Sequence, residues 1–213
     1  GDAGLTVAKR APLPITTGNS YSASGALWAA HDALLRMRLL PLPKGKERVK
    51  FKAMIVGATG AIGSVCARLM ARAAEEVYMV SPESAKLLAL KESILKDSPD
   101  AKIFLSSSAD KCIADMDMVV TATSGAGKKV LDIMKVKPGC VITDVARPLD
   151  LPPSEVAKRP DVLVIESGEI QLPGDVQMKN IGLPKGLAYA CLAETIVLAL
   201  EGRFENFTVG RAI

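Results

Sequence analysis

"VGATGAIGS" occupies residues 56–64 and sets three glycines three apart, Gly57, Gly60 and Gly63, after "FKAMIV" and before "VCARLMARAAEE". A phosphate held against a backbone needs bare N–H groups and the positive end of a helix, with no Cβ in the way. The first glycine permits a tight turn out of a strand. The second lets a pyrophosphate reach the backbone, and the third lets helix and strand pack closely. A lone glycine triplet is a weak signal. Here it lies between an apolar strand and an alanine-rich helix, with a second strand about 20 residues on, which is the context dinucleotide binding requires. The spacing predicts that Gly57, Thr59, Gly60, Ala61, Ile62 and Gly63 cradle a pyrophosphate.

Outward from this turn the chain alternates between two hydrophobic periods. The helix after the turn runs from Ala61 to about Ala74. Further strands are expected at 76–81, 101–107, 117–124, 139–146 and 161–167. Between them come a helix at 83–98, a short and partly helical stretch at 108–116, and a short helical link in "GKKVLDIMKV". Upstream, residues 21–40 have small and apolar residues at helical spacing, with Asn19 or Ser20 as cap and "PLPKG" (41–45) as stop. Downstream, 186–202 reads as a closing helix. Strands apolar throughout and separated by helices predict an α/β fold, a doubly wound parallel sheet of the NAD(P)-binding Rossmann type. The expected organisation is a loop and helix at 1–45, the dinucleotide-binding domain at 46–185, and a helix and tail at 186–213. The opening residue is not methionine, so the chain is expected to be part of a longer protein, its terminal helices packing on a substrate domain outside it.

Composition narrows the function classes. Aliphatic residues dominate and aromatics make up 4%, a balance suited to a parallel sheet wrapped in helices. The net charge of +4 comes from 27 basic and 23 acidic residues spread along the chain. No dense basic run with interleaved aromatics points to nucleic acid. Four cysteines without CxxC spacing and a single histidine make no usual zinc set. Free thiols suit a reducing compartment, so a cytoplasmic protein is expected. No apolar run reaches the roughly 18 residues needed to span a bilayer.

Two positions bear on the cofactor. An acidic residue at the end of the second strand favours NAD by accepting from the ribose 2′-OH. That place falls at Ser81, followed by "PESAK", and the missing carboxylate leans towards NADP, with Ser81 and Lys86 near the 2′-phosphate; Glu83 points to NAD. In "TSGAGKK" (123–129) a P-loop fails, because Ala122 replaces the first glycine and Lys129 the Ser or Thr. As the loop after the fourth strand, it places Thr123 and Ser124 near the nicotinamide ribose.

The candidate for chemistry is Cys191 in "LAYACLAET". A cysteine on an apolar helix is more often a small buried hydrophobe, and Cys66, Cys112, Cys140 and His31 keep structural readings. "TTGNSY" (16–21), "VGATGAIGSVCARLM" (56–70), "YACLAETIVLALEG" (189–202) and "NFTVGRAI" (206–213) together resemble the cyanobacterial long-chain fatty acyl-[acyl-carrier-protein] reductases and their relatives labelled predicted amino acid dehydrogenases. The resemblance implies that Cys191 is a nucleophile. It would take an acyl group from a carrier thioester, and NADPH would reduce the enzyme-bound thioester to an aldehyde. It also implies that Thr17, Asn19 and Ser20 border the cleft, although they equally suit a helix cap. Departures from the family are "SP" where an Ala-Arg pair stands after the second strand, "DVARPLD" for "D-G-G-Y-P-K", and no histidine in "ESGEIQLPGD". A shikimate- or amino-acid-type dehydrogenase with direct hydride transfer remains an alternative, as does a non-catalytic NAD(P)-binding module. The expected partner is a small-molecule or acyl-carrier-protein-bound substrate, and the sequence leaves a homo-oligomer open.

Overall fold

The structure, a computed structural model, describes residues 2–39, 48–125 and 128–210. Six strands form one parallel sheet in the order β3-β2-β1-β4-β5-β6. They are β1 (Val49–Val56), β2 (Ala74–Val80), β3 (Lys102–Ser106), β4 (Met118–Thr121), β5 (Val141–Asp144) and β6 (Leu163–Glu166). The chain moves outward from β1 to β3, then returns to pair β4 with the other side of β1. This reversal opens a crevice at the carboxyl ends of β1 and β4, the place where open α/β sheets bind ligands.

The sheet has a core on each face, as a period of two dictates for strands apolar throughout. Ala53, Ile55, Val77, Met79, Met118 and Val120 face one way. There they pack against α2 (Asn19–Arg36), α3 (Ala61–Ala73) and α4 (Ser84–Asp97). Met54, Val56, Val80, Val119 and Ile142 face the other way, against Ala109, Ile113, Ile133 and Leu151. That second layer is thinner than the alternation predicts. The stretches at 108–116 and 128–136 form only 3-10 turns, Ala109–Lys111, Ile113–Asp115 and Ile133–Lys135. The last of these is capped by Asp132 through the Met134 N–H at 3.3 Å, and Pro138 stands three residues after its end. Connections this short give a 3-10 turn but no α-helical run.

Other differences lie at the chain's ends. Leu5–Ala8 forms a one-turn helix, α1, inside the expected opening loop. The α2 cap is Gly18 at φ +70°, with no side-chain cap from Asn19 or Ser20. The proposed stop at 41–45 lies outside the described residues. The stretch 186–202 is not one helix. Leu187–Tyr189 forms a strand, β8, antiparallel to β7 (Glu169–Gln171), and only Ala190–Leu200 is the helix α6. Gly186 at φ +84° precedes this strand, a left-handed conformation that suits a turn into a hairpin and not a helix interior. A further turn of helix, α5, spans Pro153–Val156. No described helix is long and apolar enough to cross a membrane.

Candidate functional site

The glycine turn forms the floor of the crevice. Gly57 leaves β1 at φ +84°, and a Cβ there would stand 2.6 Å from the Ala122 carbonyl oxygen, just beyond β4. The turn thus lies against the neighbouring strand's exit. Gly63 packs on Gly57 so closely that a Cβ would stand 2.8 Å from the Gly57 carbonyl carbon. Gly60, at φ −76°, caps α3, and its own Cβ would make one short contact, 3.2 Å to the Gly57 carbonyl oxygen. The first-turn amides of Ala61, Ile62 and Gly63 have no carbonyl within the helix to accept from them. Bare N–H groups, an open approach and the positive end of a 13-residue helix meet at one point.

A cleft of about 260 Å³ opens beside this turn. Ile62 lines it from α3, Ala122 and Thr123 from beyond β4, and Val145, Ala146 and Arg147 from beyond β5. Thr17, Asn19 and Ser22 line it from the N-terminal segment and α2, and Tyr189 and Cys191 from the start of α6. The elements carrying Ile62, Thr123, Thr17, Asn19 and Cys191 therefore converge on one space. Ser124 is exposed and does not line it. Ser81 is buried, its hydroxyl 2.8 Å from that of Thr59, so it braces the glycine turn. Cys191 is exposed and is the second residue of α6, in its first turn and not the second or third as the longer predicted helix implied.

Carboxylates that the sequence did not single out hold the walls. Asp150 accepts from the Thr123 N–H at 3.0 Å and from its hydroxyl, fixing the loop after β4. Asp144, at the end of β5, accepts from the Ala146 N–H at 3.1 Å and the Leu151 N–H at 2.8 Å. Its burial raises its pKa against the lowering effect of these donors. Glu194, also buried, accepts from the Tyr21 N–H at 2.9 Å, the Ser20 hydroxyl at 3.2 Å and the Thr16 hydroxyl. It ties the first turn of α2 to α6 one turn after Cys191. Arg147 donates to the Ser167 carbonyl at 2.7 Å and pairs with Glu169 at 3.3 Å. Carboxylates scattered along a sequence look like surface charge; only the fold brings them to these loops.

The thiols divide by environment. Burial pushes Cys66 and Cys140 up to about 12 and raises Cys112. The thiolate is the reactive form. Iodoacetamide at pH 8 is therefore expected to label Cys191 first and to leave Cys66 and Cys140 unmodified until the protein unfolds. Peptide mapping checks this, and equal labelling of Cys66 would contradict the described burial. Among the described residues no cluster of His, Cys, Asp or Glu is arranged to hold a metal ion.

No family model matches the chain. Aminotransferase PigE of Serratia sp. (strain ATCC 39006) is 31% identical over 218 residues, covering 99% of this chain and 24% of that protein. The chain thus spans about a quarter of the length of that curated relative. Quinate dehydrogenase from Corynebacterium glutamicum, solved with NAD, has a TM-score of 0.50 at 17% identity, covering 67% of this chain and 50% of that one. Shikimate 5-dehydrogenase from Listeria monocytogenes, solved with shikimate and NAD, gives 0.46 at 18% identity, covering 68% and 51%. No acyl-carrier-protein reductase is among these three. The likeness is one of fold: the chain has the Rossmann-like α/β architecture that its glycine turn predicts.

Proposed function

We propose that the chain is the cofactor-binding domain of an NAD(P)-dependent oxidoreductase acting on a carbonyl compound. The observation that carries this is the cradle at Gly57, Gly60 and Gly63, opening beside a cleft at the sheet's switch point. The fold shared with a quinate dehydrogenase solved with NAD supports the same cofactor class. The cradle suits a pyrophosphate because side chains would fill the space that the glycines leave. Gly57, Thr59, Gly60, Ala61, Ile62 and Gly63 would hold the pyrophosphate, with Ser81 behind them. Thr123 would meet the nicotinamide ribose, with Ser124 next to it in the same loop. Bound there, NAD(P)H supplies a hydride.

The dehydrogenase likeness favours direct transfer to the C=O or C=N of a small molecule, as in shikimate- or amino-acid-type dehydrogenases. The proton then comes from a group on the cleft wall. No lysine lines the cleft among the described residues, and the Thr17 hydroxyl already donates to the Thr208 carbonyl at 2.7 Å, so the Tyr189 hydroxyl is the donor at hand. A second reading is favoured by the exposed Cys191 thiol in the same cleft as Ile62 and Thr123. In it the Cys191 thiolate attacks the carbonyl of an acyl thioester, and the carrier thiol departs with a proton. Reduction of the enzyme-bound thioester releases aldehyde and regenerates the thiolate. An acyl-carrier protein is a partner in this route alone. Aldehyde production also suits a relative named an aminotransferase, since transamination consumes a carbonyl compound.

Cys191→Ala separates the routes. The direct route predicts a kcat/KM within about threefold of wild type, and the covalent route a loss of at least ~100-fold. Turnover would be followed as NAD(P)H oxidation with the full-length protein. Intact mass after exposure to acyl-CoA or acyl-carrier protein reports any adduct on Cys191. Failure of both NADH and NADPH to bind would overturn the oxidoreductase assignment in either form.

A further inference from the structure

We propose that Glu83 selects NAD(H) over NADP(H), an inference that rests on the dinucleotide-binding reading above. Ser81 follows directly on β2, and its buried hydroxyl accepts from the Glu83 N–H at 3.2 Å while meeting Thr59 at 2.8 Å. These contacts fold the 81–83 turn back onto the glycine turn. One carboxylate oxygen of Glu83 then accepts from the Thr59 hydroxyl at 3.0 Å. Thr59 stands between Gly57 and Gly60, so a carboxylate lies beside the pyrophosphate cradle at the exit of the second strand. The adenosine ribose of a dinucleotide belongs at that exit.

The chemistry discriminates between the two cofactors. A carboxylate accepts from the 2′- and 3′-hydroxyls of an unmodified ribose, whereas a 2′-phosphate brings up to two negative charges against it. The nearest cation does not reverse this. Lys86 is already ion-paired with the other oxygen of Glu83, and no arginine occurs between residues 73 and 146. A 2′-phosphate would have to break that pair and still face the carboxylate. With both side chains about half exposed, solvent weakens the repulsion without removing it. Ser81 occupies the usual acidic position, and by itself its hydroxyl leans towards NADP. The fold carries Glu83 into that role from two residues further on.

Titration of the full-length protein with NADH and NADPH, followed by cofactor fluorescence, tests this. NADH is expected to bind at least about tenfold more tightly, the scale of one unfavourable charge contact at a partly exposed site. Glu83→Gln should shrink that ratio to within about threefold, chiefly by improving NADPH. Equal or tighter NADPH binding by the wild type overturns the proposal, as does an unchanged ratio in Glu83→Gln. If neither cofactor binds the wild type, the dinucleotide reading itself fails, a result distinct from a reversed preference.

Discussion

Gly63→Ala is expected to abolish measurable cofactor binding and to lower stability by about 3 kcal/mol, the scale of overpacking against atoms that cannot move aside. The new Cβ would overlap the Gly57 carbonyl oxygen and stand 2.8 Å from its carbon, both of them backbone atoms. Relief requires α3 to move away from β1, and that movement takes the first-turn amides with it. Gly60→Ala is the control. Its φ of −76° suits any residue, and its Cβ would come no closer than 3.2 Å to the Gly57 oxygen. It should melt within about 1 kcal/mol of wild type, since a short contact is eased by small shifts. Its methyl group still stands where the pyrophosphate approaches, so NADH binding should weaken at least ~10-fold. Thermal melts and NADH titration read the two effects separately. If Gly63→Ala binds NADH as wild type does, the glycine cradle does not hold the cofactor.

The glycine turn was legible because its chemistry is local: three small residues, one strand and one helix within about 20 residues. The parallel sheet was legible for a related reason, since strands buried on both faces show apolar runs that owe little to distant partners. The β7–β8 hairpin was not. Its strands are three residues each and lie 15 residues apart between Gln171 and Leu187, and "GLAYA" joins an apolar helical run without a break in hydropathy. Only Gly186, at positive φ, marked the boundary. Cys191 was legible through the family resemblance and not through its pattern, because an Ala-rich helix start looks the same whether its cysteine is buried or open. Glu194 stands out in the sequence only as part of that motif. Its function as the acceptor that joins Thr16, Ser20 and Tyr21 to α6 depends on residues more than 170 positions away. Long-range polar pairing of this kind leaves no periodic trace in a sequence.

Gly18→Ala is expected to detach the N-terminal segment from α6, with a loss of about 3 kcal/mol, or roughly 10 °C in Tm. Two costs combine there. Gly18 caps α2 at φ +70°, a left-handed conformation that costs an alanine about 1–2 kcal/mol. The new methyl group would also overlap the Cys191 Cα and Cβ and stand 2.6 Å from its carbonyl oxygen. Gly202→Ala isolates the first cost, because Gly202 has φ +67° and nothing within 4 Å of its Cβ position. The excess of Gly18→Ala over Gly202→Ala measures the packing of the glycine on the helix that carries the thiol. The same change loosens the hydrogen bonds of Thr16, Ser20 and Tyr21 to Glu194, which depend on α2 and α6 staying in register. Cys191 should then alkylate faster, since one wall of its cleft is formed by Thr17, Asn19 and Ser22. Equal melting of the two variants, with Cys191 labelled at an unchanged rate, would mean that the N-terminal segment does not pack on α6. The cleft would then lack a wall, and Thr17 and Asn19 would have no place beside the cofactor.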